Sequence, residues 1–208
     1  MLSGLYAITD DTLLANSRLE QAVEETLTAG CRLIQYRSKL ADRDLRLHTA
    51  QRLQVLCANH SATLLINDDV ELCRKVNAGG VHLGKDDAPI RQARDLLGTD
   101  KIIGITCHAS VDAAIEAEEA GADYVAFGRF YPSLTKPGAS PAPIDVLTEA
   151  KARLRIPIVA IGGINAENGA SLVKAGADML AVINAIFADD NVAENTRKLI
   201  NLFNSSND

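Results

Sequence analysis

The residues of this chain best suited to chemistry sit just after short apolar runs. "IQYRSK" carries Gln35, Arg37 and Lys39 at alternate positions, which in an extended strand share one side while Tyr36 and Ser38 share the other. "LLINDD" ends in Asn67, Asp68 and Asp69, "GVHLGKDD" leads to Lys85, Asp86 and Asp87, and "IIGITCH" ends at Thr106 and His108. Asp68 and Asp87, hard carboxylates from adjacent apolar runs, suit Mg²⁺, which takes one or two protein carboxylates and completes its shell with water and substrate phosphate. Arg37 and Lys39, joined by Lys136 from the loop "GRFYPSLTKPGASP", suit a diphosphate whose negative charge grows as it departs. A separate phosphate is expected where "AIGGIN" places Gly162 and Gly163 and "INAIF" opens a short helix with N–H groups facing an anion. Two anionic substrates meeting in one site follow from this pattern.

Each piece also has a plain structural reading. Arg37 and Lys39 also read as a solvated strand end, and Asn67-Asp68 as a turn or helix cap. Asp87 could cap a helix beginning near Pro89, Gly162-Gly163 could be only a tight turn, and His82 reads as a satisfied interior histidine. Cys107-His108 is no nucleophile and base pair, because neighbours in a strand point to opposite faces. What favours chemistry is that all these residues fall on one end of the same set of strands.

Those strands are legible as apolar, β-branched-rich runs at 4–9, 32–37, 63–67, 80–84, 101–106, 123–128, 157–162 and 179–184, reading as strands buried on both faces. Helical spacing fills the intervals, as in "SRLEQAVEETLTAG", "DRDLRLHTAQRLQVLCANH", "SVDAAIEAEEAG" and "NAENGASLVKAG". Ala29-Gly30, Ala78-Gly79, Ala120-Gly121 and Ala175-Gly176 each precede a strand, as expected where glycine ends a helix in the left-handed conformation. Eight βα units of about 26 residues predict an α/β fold, a compact single-domain (β/α)8 TIM barrel over residues 1–208, smaller than the typical ~250 residues. A doubly wound sheet is the alternative, but "YAITDDTLL" lacks the glycine fingerprint that a dinucleotide fold carries after its first strand. In a barrel the active site lies at the C-terminal ends of the strands, where the polar residues fall.

Composition narrows the partners. A formal net charge of −6 without a basic run argues against nucleic acid and acidic membrane surfaces. The N-terminal "MLSGLYAITDDTLL" has no basic segment followed by a long apolar stretch, and no window approaches about 18 apolar residues, so a cytoplasmic location is expected. Cys31, Cys57, Cys73 and Cys107 form no CxxC pair and read as buried thiols. Barrels often associate through their outer helices, so a homo-oligomer is compatible with this fold.

In this order, "LYAITD", "IQYRSK", "LLINDDVELC", "GVHLGKDD", "IIGITCH", "DYVAFGRFYPSLTK" and "IPIVAIGGI" closely resemble the thiamine phosphate synthase (thiamine-phosphate pyrophosphorylase) family from near residue 5 to near residue 187. The resemblance implies a small (β/α)8 barrel that joins hydroxymethylpyrimidine diphosphate to hydroxyethylthiazole phosphate, releasing pyrophosphate. It also implies that Gln35, Arg37 and Lys39 hold the pyrimidine diphosphate, with Asn67 beside Asp68, and that Asp68 and Asp87 carry Mg²⁺. Lys136 would bind the diphosphate, Ser133 and Thr135 would face the thiazole phosphate or its linker, and Gly163, Ile183 and Asn184 would surround that phosphate. Four residues depart from the usual pattern: Thr106 and Asn184 stand where serine is usual, Ser133 where threonine is, and Lys85 where glutamine is common. Thr106 keeps a hydroxyl able to donate to a pyrimidine nitrogen or a phosphate oxygen.

The reaction implied is a dissociative displacement in which the aminopyrimidine carries the cation left by pyrophosphate and the neutral thiazole nitrogen attacks it. No general base is needed. The 128–141 loop would then be a lid that excludes water, with Lys136 at its tip. The rival readings are a thiazole tautomerase of the same wider family using His108 as base, a phosphosugar isomerase or aldolase using Lys39, and a non-catalytic thiamine-precursor sensor.

Overall fold

Every strand of the chain is a short buried segment that an amphipathic helix must cover, and together they close a barrel. The computed structural model describes residues 2–14, 18–84, 87–132 and 140–204. The strands are β1 (Gly4–Ile8), β2 (Leu33–Tyr36), β3 (Thr63–Asn67), β4 (Gly80–Leu83), β5 (Ile102–His108), β6 (Tyr124–Gly128), β7 (Ile158–Ile161) and β8 (Met179–Val182). All pair in parallel with their sequence neighbours, and β8 returns to β1 through Gly4↔Met179 and Tyr6↔Ala181. The helices between them are α1 (Arg18–Thr28), α2 (Arg43–Asn59), α3 (Val70–Val76), α4 (Ile90–Leu97), α5 (Val111–Glu119), α6 (Asp145–Arg153) and α7 (Gly169–Lys174), followed by α8 (Asn184–Phe187) and α9 (Val192–Asn204). This is the (β/α)8 barrel expected from the alternation of patterns.

Two apolar cores result from the two faces of the strands. Tyr6, Ile8, Leu33, Leu65, Tyr124, Val159 and Met179 fill the barrel interior, whereas Ala7, Ile34, Ile66, Val81, Val125 and Val182 face the helices. Gly104 has a special job in the interior: a Cβ placed there would lie 1.9 Å from the Tyr124 ring. The absent side chain is the space the tyrosine occupies.

The helix ends are partly as the sequence predicts. Gly30, Gly121 and Gly176 have positive φ after α1, α5 and α7. At Ala78-Gly79 the expectation fails, because Asn77 takes the left-handed position (φ 52°) as the C-cap of α3. Gly79 is required for a different reason: a Cβ there would sit 2.4 Å from Thr63 Cγ2. The stretch 165–176 is helical only from Gly169, since Asn165 Oδ1 accepts from the Glu167 and Asn168 amides and holds a turn first. Far from the active end, "AGAD" occurs twice with one purpose. Asp123 accepts from Ile103 N at the start of β5, and Asp178 from Ile158 N at the start of β7, each carboxylate also paired with a cation, Arg94 or Lys151.

Candidate active site

The C-terminal ends of the strands surround a cavity of about 520 Å³ whose lining includes Gln35, Arg37, Asn67, Asp68, His82, Thr106, His108, Gly162, Gly163, Ile183 and Asn184. Most of the expected polar residues therefore converge, while Lys39 and Asp87 do not line the cavity and meet it through Asp68, and the local geometry departs from a simple comb. β2 stops at Tyr36, so Arg37 and Lys39 lie just beyond the strand. Arg37 still lines the cavity because Thr9 and Asp10, at the end of β1, hold it. Thr9 Oγ1 accepts from Arg37 N (3.0 Å) and Asp10 Oδ2 pairs with the guanidinium at 3.1 Å, both side chains being largely buried. Asp11 accepts from Ser38 Oγ and from Lys39 N, fixing the turn that carries Lys39. Asp10 and Asp11 were legible in "AITDD" as polar residues following a strand, the same signal that singled out Asp68.

Asp68 sits at the centre of the mouth in an unusual turn. Its φ is 61° and Asp69 N donates to Asn67 O, a three-residue γ-type turn of the rare, strained hand. Asp69, not Asp68, caps α3 by accepting from Leu72 N, so the turn expected at Asn67-Asp68 is present while the cap belongs to the neighbouring carboxylate. Asp68 is left to receive Lys39 Nζ at 2.8 Å.

Asp87 does not cap α4, whose N-cap is Pro89 without a side-chain bond. Its Oδ2 instead accepts from Gly84 N at 2.6 Å, and its carboxyl hydrogen-bonds that of Asp68. Burial pushes both acids up. At Asp68 the bonds from Lys39 and Asp87 outweigh burial and hold the group below its usual range, while Asp87, beside a second carboxylate, stays above it. Two carboxyl groups held together in this way form an oxygen donor pair fitted to a hard divalent cation. Among the described residues no group of three or more His, Cys, Asp or Glu could hold a metal, and of these residues Asp68 and Asp87 are the two carboxylates a cation here would meet.

On the opposite side, Gly162 (φ 106°) and Gly163 (φ 65°) are required by packing as well as by any anion. A Cβ at Gly162 would lie 2.3 Å from Arg129 Cβ, and one at Gly163 2.3 Å from Pro132 O. Phe130 N and Tyr131 N donate to Ile161 O and Gly162 O, so the base of the 128–141 loop is bonded to the end of β7. Asn168 Nδ2 holds Gly163 O at 3.0 Å. The short helix expected from "INAIF" is α8, with Ile183 at its N-cap, and its first N–H groups have no acceptor within the helix. Lys85, Ser133, Thr135 and Lys136 lie outside the described residues.

The floor of the cavity is polar in a way the sequence did not disclose. Gln35 Nε2 donates to Tyr6 Oη (2.5 Å), Tyr6 Oη meets Tyr124 Oη (2.9 Å), Tyr124 Oη meets His82 Nδ1 (2.8 Å) and His82 Nε2 meets Thr106 Oγ1 (2.9 Å). His82 is thus an interior histidine held at both ring nitrogens, as expected, and it also lines the cavity. Burial pushes both phenols far above their usual range, so they remain O–H groups. Thr106 and His108, two apart in β5, both line the cavity and Cys107 turns to the outer core, with a register shift against β6 between Thr106 and His108.

Fold and mouth together define a (β/α)8-barrel enzyme for small-molecule substrates. The sequence model of the family described as thiamine monophosphate synthase matches residues 5–186. The thiamine-phosphate synthase of Thioalkalivibrio sulfidiphilus is 49% identical over 202 residues, covering 97% of this chain and 96% of that protein. That of Marinobacter nauticus is 54% identical over 184 residues, covering 88% and 82%. Among solved structures, a thiamine phosphate pyrophosphorylase from Pyrococcus furiosus superposes with a TM-score of 0.88 at 33% identity, covering 97% and 96%. The chain belongs to the thiamine monophosphate synthase family and is a transferase. Among the described residues no helix is long and apolar enough to cross a membrane.

Proposed function

We propose that the protein condenses hydroxymethylpyrimidine diphosphate with hydroxyethylthiazole phosphate, giving thiamine phosphate and pyrophosphate. The observation that carries this reading is the Asp68–Asp87 carboxyl pair facing Lys39 at the same mouth as Arg37. Asp68 and Asp87 would hold Mg²⁺, which when bound supplies positive charge to the departing diphosphate. Arg37 and Lys39 bind and orient that diphosphate, and Lys136 would add a third cation from the loop. The bond from the pyrimidine methylene to oxygen breaks with its electron pair leaving on pyrophosphate, and the thiazole nitrogen lone pair forms the new bond to the same carbon. No proton moves in this exchange, so no base is required of the site. Gly163, Ile183 and Asn184 would hold the thiazole phosphate near the first N–H groups of α8, with Ser133 and Thr135 beside it.

The test is pyrophosphate release from both substrates, with and without Mg²⁺, in wild type and Asp68→Asn. Asparagine tolerates the left-handed backbone that alanine would strain, so the variant removes the charge alone. Release that requires both substrates and metal, and falls by about a hundredfold or more in the variant, is the expected result. Metal-independent isomerisation of a thiazole phosphate without pyrophosphate release would replace this reading with a tautomerase and point to His108, which also lines the cavity.

A further inference from the structure

The chain of hydrogen bonds under the cavity links two groups that face a ligand, Gln35 at one end and Thr106 at the other. Tyr6 and Tyr124 are 1% and 0% exposed, so each phenolic hydrogen must find an acceptor inside the barrel or incur the penalty of a buried unmade bond. Gln35 Nε2 gives its hydrogen to Tyr6 Oη. Tyr6 must then donate to Tyr124, and Tyr124 to His82 Nδ1. An imidazole accepting at Nδ1 carries its proton on Nε2, donates it to Thr106 Oγ1, and so leaves the threonine hydrogen to point into the cavity. The Gln35 amide oxygen has no donor among the described residues and is an acceptor for whatever binds.

Only one other arrangement puts a single hydrogen in every contact of the chain while His82 is neutral. It turns the Gln35 amide over and reverses each bond in sequence, making Gln35 a donor and Thr106 an acceptor. The two ends are therefore always of opposite polarity and change together. A mixed state leaves one of these contacts with two hydrogens or with none, or else places a charge on the imidazole.

We propose that Tyr6 and Tyr124 are positioning residues that couple Gln35 to Thr106 and set the site to present an acceptor at one and a donor at the other. This matches an aminopyrimidine, which brings amino hydrogens and ring-nitrogen lone pairs, and it opposes the corresponding oxopyrimidine, in which the carbonyl and the ring N–H exchange those roles. The inference rests on the synthase reading for its substrate but not for the state of the protein itself.

Two measurements test it. In the free full-length protein, ¹⁵N NMR of the imidazoles, with His82 assigned by His82→Gln, is expected to show His82 neutral with its proton on Nε2, and a mixture of tautomers in Tyr124→Phe. A proton on Nδ1 in the wild type overturns the proposed polarity whether or not the enzyme reading stands. In turnover, wild type is expected to favour the aminopyrimidine diphosphate over its oxo analogue, and Tyr124→Phe to narrow that preference in kcat/KM by about tenfold, with KM for the thiazole phosphate unchanged. Tyr6→Phe, which breaks the chain one bond earlier, is expected to act likewise, and thermal unfolding shows that both variants are folded. An unchanged preference in folded Tyr124→Phe and Tyr6→Phe overturns the coupling. Absence of thiamine phosphate in the wild type overturns the synthase reading and leaves the tautomer to be judged by NMR alone.

Discussion

At the residue scale the site is a set of charges held in tension by named partners. Arg37 is aimed by Asp10, and both side chains are largely buried, so Asp10→Asn leaves the guanidinium without its charged partner. We expect KM for the pyrimidine diphosphate to rise roughly five- to thirtyfold, the effect of losing about 1–2 kcal/mol of a charge-assisted bond, with a smaller change in kcat; steady-state kinetics check it. Asp87 presents the opposite case, because burial and the neighbouring Asp68 hold its pKa above the usual carboxylate range. A raised carboxyl stabilises the fold below its unfolded value and ceases to do so as pH rises through the folded one, so near neutrality ionised Asp87 is a liability to the metal-free protein. If the pair holds Mg²⁺ as proposed, the ion should raise the melting temperature of the wild type, whereas Asp87→Asn should raise the metal-free value slightly and abolish the response to Mg²⁺, as scanning calorimetry with and without the ion would show. Much of this was legible: Gln35, Arg37, Asn67, Asp68 and Thr106 line one cavity because residues after parallel strands share one end of a barrel. The Asp68 γ-turn was not, since a positive φ at aspartate depends on how β3 meets β4, and no local pattern records that.

At the scale of elements, the strands were readable nearly to the residue because burial on both faces leaves an unbroken apolar run between polar ends. The joints were harder. Asn77 ends α3 where Ala78-Gly79 suggested glycine would, and the α7 segment begins with an Asn165 turn before its helix, because asparagine can hydrogen-bond locally and tolerate left-handed backbone. Gly104 illustrates a demand invisible along the chain, since the ring that needs its missing Cβ belongs to β6. Gly104→Ala should force Tyr124 aside and cost about 3 kcal/mol or more, at the upper end of overpacking effects. Denaturant titration checks the stability, and the His82 tautomer should be lost in the same variant even where it remains folded. Gly163→Ala acts at the other side of the mouth, where positive φ and the 2.3 Å approach to Pro132 O leave no room. It is expected to displace the base of the 128–141 loop and raise KM for the phosphate-bearing thiazole more than for the pyrimidine.

At the scale of the whole molecule, the buried thiols read from composition are a probe of integrity. Cys31 and Cys57 are 1% and 0% exposed, and burial pushes Cys57 and Cys107 up to about 12. Thiolate is the reactive form, so an aromatic disulfide reagent should leave the folded protein essentially unlabelled and titrate four thiols after guanidinium is added. Rapid labelling of Cys57 in native buffer would show that the outer helices open far more readily than their packing suggests. The closure of the barrel has a further consequence for how the protein is made. Gly4 N bonds to Asp178 O, and β1 takes its second neighbour only from β8, so a chain leaving the ribosome carries its first strand half-paired until more than 170 residues have followed. The early strands thus emerge as an open, sticky edge, and synthesis rate and chaperone access, rather than final stability, set how much of the protein reaches the closed form.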